Sequence, residues 1–138
     1  MSEVEQRFVL IREVVIRAMH RLENRSLSEH ENRRVYGPCF SEHGHDYRIS
    51  VVLSQALNER SGLVFERDRL DRILRSALVD PLDGSDLNAL FVNTAGEALA
   101  RALFLRLVPL FPIGVLVRVG IQETRKNYFE FPPADRHS

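Results

Sequence analysis

The alternation of apolar and polar residues predicts a β-strand near the start of the chain. Over residues 7 to 22 the sequence is dense in β-branched and other apolar side chains. An extended backbone places alternate residues on one face, here Phe8, Leu10, Val14, Ile16, Ala18 and His20. A helix accommodates part of this pattern, but the β-branched density and the lack of a preceding N-cap favour the strand. We therefore expect His20 on the apolar face, at the end of this strand.

The same periodicities predict five further elements. They are a strand from about His43 to Leu57, an amphipathic helix ending before Pro81, a second helix from a Thr94-x-x-Glu97 capping box to about Pro109, a strand from Ile113 to Ile121, and a short strand from Tyr128 to Phe131. The stretch from about Glu23 to Phe40 is a long polar loop in this interpretation. The order ββααββ predicts an antiparallel α+β fold, with residues 1–138 forming a single domain.

Composition narrows the possible functions. The chain has 138 residues, 44% hydrophobic and 28% charged, which is typical of a globular domain able to bury a core. Its 19 basic and 19 acidic side chains cancel, which argues against bulk electrostatic binding to nucleic acid. A single cysteine and a start without a basic segment and apolar core predict a cytoplasmic protein. No apolar run approaches the roughly 18 residues of a membrane span.

Three histidines form a candidate zinc site. His43 and His45 share one face of the second predicted strand, and His20 lies at the end of the first. Catalytic zinc usually keeps three protein ligands and leaves a fourth position for water or substrate. The alternative interpretation is that each histidine is a surface or packed residue, since His-x-His alone is a weak signal.

Cys39 and Glu123 are the remaining candidates for chemistry. Cys39 is a zinc ligand, a buried small apolar residue, or a nucleophile or base beside the metal. Glu123, at the end of a strand, is a solvated carboxylate if it has no such role, and Asp83 and Asp86 are explained as turn residues. The capping box accounts for Glu97. The residues alone therefore indicate an α+β protein with a possible zinc site.

Several motifs, taken together, resemble those of one enzyme family. They are Ala18-Met19-His20-Arg21-Leu22, Leu27-Ser28 with Glu31-Asn32, Tyr36-Gly37-Pro38-Cys39, His43-Gly44-His45-Asp46-Tyr47, Gly62-Leu63-Val64, Pro81-Leu82-Asp83, Leu87-Asn88, Thr94 to Glu97 and Glu123-Thr124. From about Phe8 to Tyr128 the chain resembles the 6-pyruvoyl-tetrahydropterin synthase and 6-carboxytetrahydropterin synthase family. The loop before the two histidines resembles the pyruvoyl branch in particular.

The resemblance implies a tunnelling fold (T-fold), in which three subunits join their sheets into a barrel and two trimers form a homohexamer with active sites between subunits. His20, His43 and His45 match the zinc ligands of the family, Cys39 the proton-abstracting thiol, and Glu123 the carboxylate that anchors the pterin ring. The substrate of the family is 7,8-dihydroneopterin triphosphate. The product is 6-pyruvoyl-tetrahydropterin, with loss of triphosphate, in tetrahydrobiopterin biosynthesis, or 6-carboxytetrahydropterin in queuosine biosynthesis.

Two other matched positions concern catalysis and substrate binding. The family usually has an Asp-His pair where this chain has Asp83-Gly84, so Asp83 matches a catalytic residue whose histidine partner is missing. Thr94 matches a substrate-binding position, although the residues after it differ from the commoner Thr-x-Glu-Asn. The alternative function is thus an impaired pterin- and zinc-binding protein, unless His30 or Asp86 supplies the missing group. A structural zinc protein without a pterin site is a third interpretation.

Overall fold

The computed structural model of the protein describes residues 6–134 and contains an antiparallel four-stranded sheet. Its strands are β1 (Phe8–His20), β2 (His43–Gln55), β3 (Leu116–Gln122) and β4 (Tyr128–Phe131). Strands adjacent in the chain are also adjacent in the sheet, in the order β1-β2-β3-β4. The predicted antiparallel α+β arrangement is therefore confirmed.

The helices are α1 (Glu29–Tyr36), α2 (Arg67–Leu74), α3 (Asp80–Leu82), α4 (Leu87–Leu90) and α5 (Gly96–Leu107). A π-helical turn, Arg75–Val79, joins α2 to α3. Two 3₁₀ turns, Gly37–Phe40 and Val108–Leu110, follow α1 and α5. No helix of the described residues is long and apolar enough to cross a membrane.

The core lies between one face of the sheet and the apolar stripes of α2 and α5. Leu70 and Leu74 of α2 and Leu103 and Leu107 of α5 are at most 2% exposed, so each stripe is sealed against the strands. The facing positions of the sheet include Ile16, Ala18, Tyr47, Ile49, Val51, Val119 and Ile121. Burial of apolar area here, at about 25 cal/mol per Å², is the main source of stability.

The register of the sheet brings the ends of three strands together. His20 of β1 lies directly opposite His43 of β2, and Ala18 lies opposite His45. Because side chains alternate along a strand, His20, His43 and His45 point to the same side as the core residues. Glu123 directly follows β3, two residues after the buried Ile121, and so continues that face.

The predicted polar loop from Glu23 to Phe40 is wrong, because α1 and a 3₁₀ turn occupy most of it. Helix α1 has no apolar stripe, and its only buried residue is Asn32, so hydrophobic periodicity could not reveal it. The available signal was local: Ser28 accepts a hydrogen bond from the backbone N–H of Glu31, whose side chain returns to Ser28, forming a capping box.

The predicted helix boundaries also needed correction. The helical path continues past Pro81 to Leu82, because the π turn precedes it and proline is tolerated in the first turn of a new helical segment. The capping box at Thr94 does not form. Ala95 is the N-cap of α5, without a side-chain hydrogen bond, and the Thr94 hydroxyl donates to the carbonyl of Arg21 instead. The strand predictions were correct in type and differ only at their ends.

Candidate metal centre

Three histidines and one carboxylate converge where β1, β2 and β3 end. The ligand atoms of His20, His43, His45 and Glu123 all lie within 4.8 Å of one another. The imidazole rings of His20 and His43 are 4.5 Å apart, those of His43 and His45 4.8 Å, and those of His20 and His45 5.1 Å. An ion bonded at about 2.0–2.2 Å to each group would need only small side-chain adjustments to span these separations.

Backbone carbonyls orient two of the imidazoles. Nδ1 of His20 lies 3.0 Å from the carbonyl oxygen of Thr94, and Nδ1 of His43 lies 2.7 Å from that of Ser41. A carbonyl only accepts, so each Nδ1 carries a proton and donates, and Nε2 is the ring nitrogen left to bind a metal. Histidine ligands of metals are usually held in this way by an outer acceptor.

Among the residues that the structure describes, two ring nitrogens of the cluster lack a hydrogen-bond partner and are suited to binding a cation. Nε2 of His20 and of His45 each lie 3.1 Å from Oε1 of Glu123. Their geometry is not that of a hydrogen bond, and within residues 6–134 neither buried nitrogen has another partner. Leaving such groups unsatisfied is costly in a protein that has no use for them. Nitrogen lone pairs with one carboxylate are a donor set that suits zinc, so the residues fit the metal expected from the sequence.

The same cluster shifts the pKa of two of its members. The close approach of His20 is the main cause that lowers the pKa of Glu123, with His45 and His43 adding to it and burial opposing it. Burial lowers the pKa of His45, although the Glu123 charge opposes that shift. These directions favour an ionised Glu123 and a neutral His45, which are the protonation states that bind metal.

A cavity of about 600 Å³ opens beside the cluster. Its walls are formed by Leu22, Tyr36, Pro38, Cys39, His43, His45, Ala95, Gly96, Glu97, Glu123, Thr124, Asn127 and Phe129. This size lies within the usual range for small-molecule sites. Four of the predicted site residues thus border one cavity: Cys39, His43, His45 and Glu123. His20, which is 1% exposed, completes the histidine cluster beside it.

Two predicted site residues lie elsewhere in the chain. Thr94 is 2% exposed, and its hydroxyl and carbonyl both engage the end of β1 rather than the cavity. The Asp83 carboxylate accepts a hydrogen bond from the backbone N–H of Arg17, and Gly84 donates to the carbonyl of the same residue. The loop after α3 therefore lies along the outer edge of β1, and the catalytic and substrate-binding roles of Asp83 and Thr94 stay predictions.

The cavity also contains residues that the sequence interpretation left without a site role. Glu97 was assigned to the cap that does not form, and it borders the cavity at the start of α5. Tyr36 was part of a motif but had no assigned function. Phe129 packs its ring so closely on Gly96 that a Cβ there would overlap it. Spacing could not show these neighbours, because they come from separate elements of the chain.

Comparison with known proteins places the whole arrangement in one family. The chain is 31% identical over 124 residues to the human 6-pyruvoyl tetrahydrobiopterin synthase, covering 84% of this chain and 85% of the relative. It is 31% identical over 125 residues to the enzyme of that name from Dictyostelium discoideum, covering 87% and 92%. The structure of the Caenorhabditis elegans 6-pyruvoyl tetrahydropterin synthase superposes with a TM-score of 0.85 at 28% identity, covering 94% of this chain and 97% of the other.

A more distant structure shares the fold alone. The Plasmodium vivax 6-pyruvoyl tetrahydropterin synthase superposes with a TM-score of 0.62 at 11% identity, over 91% of this chain and 96% of the other. The subunit fold expected for a tunnelling-fold protein, a four-stranded antiparallel sheet with helices, is confirmed by these superpositions. The family described as 6-pyruvoyl tetrahydropterin synthase matches residues 10–134, and the chain therefore belongs to that family.

Proposed function

We propose that the protein is a zinc-dependent lyase that converts 7,8-dihydroneopterin triphosphate to 6-pyruvoyl-tetrahydropterin with loss of triphosphate. The observation that carries this proposal is the single cavity shared by a thiol, two of three clustered histidines and a carboxylate. Family membership and the relatives named above support a pterin substrate and the lyase class. The queuosine-type product, 6-carboxytetrahydropterin, is the other outcome that the same groups could give.

The histidines would hold the ion in this reaction. His20, His43 and His45 offer three nitrogens, and a catalytic zinc keeps a further position for substrate. A bound zinc ion supplies Lewis acidity, which polarises substrate hydroxyls and makes neighbouring C–H bonds more acidic. The carbonyls of Thr94 and Ser41 fix the tautomers of two ligands before any metal arrives.

Glu123 would hold the pterin ring. A pterin offers an adjacent ring N–H and exocyclic amine, and one ionised carboxylate accepts a hydrogen bond from each. The lowered pKa of Glu123 keeps it ionised and able to accept both bonds. The same carboxylate is a possible fourth ligand, but occupying that position would close the coordination shell that a catalytic zinc keeps open.

Cys39 would remove the proton. Its side chain is exposed within the cavity, and the thiolate form of cysteine is the reactive one. A positioned acid or base of this kind contributes roughly 10²–10⁴ to a rate. In this proposal the reaction takes place in the cytoplasm, where the single cysteine stays reduced.

The test is release of triphosphate from 7,8-dihydroneopterin triphosphate by the purified, zinc-loaded protein. Wild type should release it, and Cys39→Ala should lower the rate by roughly 10²–10⁴ while retaining the metal. Chromatography of the pterin product separates the pyruvoyl from the carboxy outcome. Release no faster than that of the Cys39→Ala variant would reject the lyase assignment.

A second candidate function follows from Gly84, where the family usually has a histidine. In this alternative the protein binds zinc and a pterin but does not turn the substrate over. Titration with neopterin, followed by its fluorescence, distinguishes the candidates when combined with the rate assay. Binding that depends on Glu123 without triphosphate release would favour the binding protein, and absence of both would favour a structural zinc protein.

A further inference from the structure

We propose that Tyr36 is a further catalytic residue of the reaction assigned above, on which this inference rests, and that its hydroxyl is the second proton-transfer group of the cavity. The reaction needs such a group because a proton taken from the substrate side chain must be balanced by one delivered elsewhere on the substrate. Cys39 can perform one of these transfers, so the remaining question is which other cavity group performs the second.

The loop at Asp83 and Gly84 does not provide that group within the chain. Asp83 accepts the backbone N–H of Arg17 2.9 Å away, and no residue from 83 to 88 borders the cavity. Among the described residues, the titratable groups lining the cavity are Tyr36, Cys39, His43, His45, Glu97 and Glu123. The two histidines and Glu123 belong to the metal cluster, which leaves Tyr36 and Glu97 as companions of Cys39.

Local backbone geometry pairs Tyr36 with Cys39. Tyr36 ends α1 and has a helical conformation, φ −103° and ψ −16°, directly before the 3₁₀ turn Gly37–Phe40. Gly37, with φ 55° and ψ −130°, and Pro38 form the bend between the two residues, and both Tyr36 and Cys39 border the cavity. Glu97 comes from the start of α5, a separate element, and lacks this relationship.

The turn is rigidly attached to the rest of the site. Pro38 restricts its backbone, and Gly37 has the positive φ of 55° that lets α1 end there. The carbonyl of Cys39 accepts a 2.7 Å hydrogen bond from the N–H of Leu22, which lies two residues after the metal-side His20. A group on such a turn keeps its distance from the metal cluster, as acid–base chemistry requires.

The Tyr36 hydroxyl is available for substrate. The side chain is half-buried, and within residues 6–134 its hydroxyl makes no hydrogen bond. A phenol both donates and accepts hydrogen bonds. In the proposed reaction it donates a proton, and Cys39 is the initiating base.

Every proton that moves in the proposed step can be accounted for. The Cys39 thiolate takes a proton from a side-chain carbon: the C–H bond breaks, an S–H bond forms, and the electron pair passes into the C=N bond of the dihydropterin ring. Tyr36 then gives its hydroxyl proton to the ring system. The resulting phenolate takes the proton held by the Cys39 thiol, which restores both residues. The net change is an isomerisation of the substrate and requires no oxidant or reductant.

The experiment compares Tyr36→Phe, which removes only the hydroxyl, with wild type and with Tyr128→Phe, a matched change outside the cavity. We expect Tyr36→Phe to lower kcat for triphosphate release at least about 100-fold. KM, zinc content and the affinity for neopterin should change little. In D₂O, substrate recovered from Tyr36→Phe should still gain deuterium at the side-chain carbon, because Cys39 continues to remove and return that proton.

Four results would overturn the inference. The first is a kcat for Tyr36→Phe equal to that of wild type, and the second is joint loss of turnover and deuterium exchange, which would indicate a structural defect. The third is a Tyr36→His rate no higher than that of Tyr36→Phe, since imidazole can also transfer protons. The fourth is a wild-type protein that releases no triphosphate, which would also reject the lyase assignment. The first three results would leave the lyase assignment unaffected.

Discussion

The carbonyl oxygen of Thr94 lies 3.0 Å from Nδ1 of His20, two residues that are 74 positions apart in the sequence. The hydroxyl of Thr94 donates to the carbonyl of Arg21, so one buried threonine fixes both the end of β1 and the imidazole it carries. Because Nδ1 donates to this carbonyl, Nε2 is the nitrogen of His20 that faces the cluster. A residue that does not itself border the cavity thus orients a candidate metal ligand.

We expect the purified protein to bind about one zinc ion per chain, and His43→Ala to weaken or abolish binding because it removes one of the three nitrogens. Metal analysis after dialysis measures the content, and titration with a colorimetric zinc indicator measures the affinity. The matched control is His30→Ala, since His30 is exposed on α1 and outside the cluster. Equal zinc content in wild type and both variants would contradict the assigned ligands.

Gly96→Ala should destabilise the protein and disturb the cavity. A Cβ at Gly96 would overlap the ring of Phe129, which must move away from the start of α5. Overpacking of this kind costs about 1–3 kcal/mol. Thermal unfolding measures the loss, and neopterin affinity should fall with it, because both residues line the cavity. Gly120→Ala is the comparison: it meets the hydroxyl end of the half-exposed Tyr128, which can swing away, so its cost should be smaller.

Tyr47→Phe should leave the protein equally stable or more stable. The side chain is 1% exposed, and its hydroxyl has no hydrogen-bond partner in the described part of the chain. Removing an unsatisfied buried hydroxyl while keeping the ring avoids a desolvation penalty, and a gain of about 1 kcal/mol is expected. Denaturant unfolding with an unchanged m-value would measure it. A loss of stability would indicate that the hydroxyl has a partner, such as a buried water, in solution.

Gly84→Ala and Gly84→His should lower stability by similar amounts. Gly84 has φ +76° and open space around the position of a Cβ, so the penalty is that of a left-handed backbone, about 1–2 kcal/mol, rather than of a clash. If Tyr36 is the second proton-transfer group, histidine at this position should give no gain in rate over alanine. A large gain in triphosphate release from Gly84→His alone would instead favour the interpretation that catalysis had been lost with that histidine.

The sheet and the candidate metal ligands at its end could be predicted from the sequence, because side chains on a strand alternate between two faces with a period of two residues. His43, His45, Tyr47 and Ile49 alternate on one face of β2, and the same rule applied to β1 and to the end of β3 brings His20 and Glu123 to that face. This part of the site needed only the strand assignments and an antiparallel order.

The cavity walls could not be predicted in the same way. Helix α1, which carries Tyr36, has Val35 as its one aliphatic residue, so it lacks the apolar stripe by which helices are recognised. The start of α5 was predicted wrongly, because the Thr94 hydroxyl has a tertiary partner, the carbonyl of Arg21, that outcompetes the local cap. Contacts between elements that are distant in the sequence determine both the position of α1 and the start of α5. The local spacing of residues does not reveal such contacts.

We expect the protein to assemble as a homohexamer, a dimer of trimers. The face of β1 opposite the core carries exposed apolar side chains, among them Val9, Ile11 and Val15, each at least 50% exposed. Apolar positions of this kind favour burial against further copies of the sheet. Light scattering after gel filtration should give about six times the chain mass of 15.9 kDa. Ile11→Lys should lower that mass, whereas Val35→Lys, on the polar helix α1, should not.

The loop after α3 also limits how another strand can join β1. Gly84 and Ser85 bond to the backbone of Arg17 and Met19, and Asp83 bonds to Arg17 as well, so the last third of this edge is already saturated. Outward-facing backbone groups alternate along a strand, which leaves Val9 to Val15 as the section open to pairing. Only a short strand of a neighbouring chain can form a hydrogen-bonded ladder with this section. The loop also prevents that strand from shifting toward the end of β1. The loop would therefore set the register in which strands of neighbouring chains pair, because it occupies the backbone groups at one end of this edge.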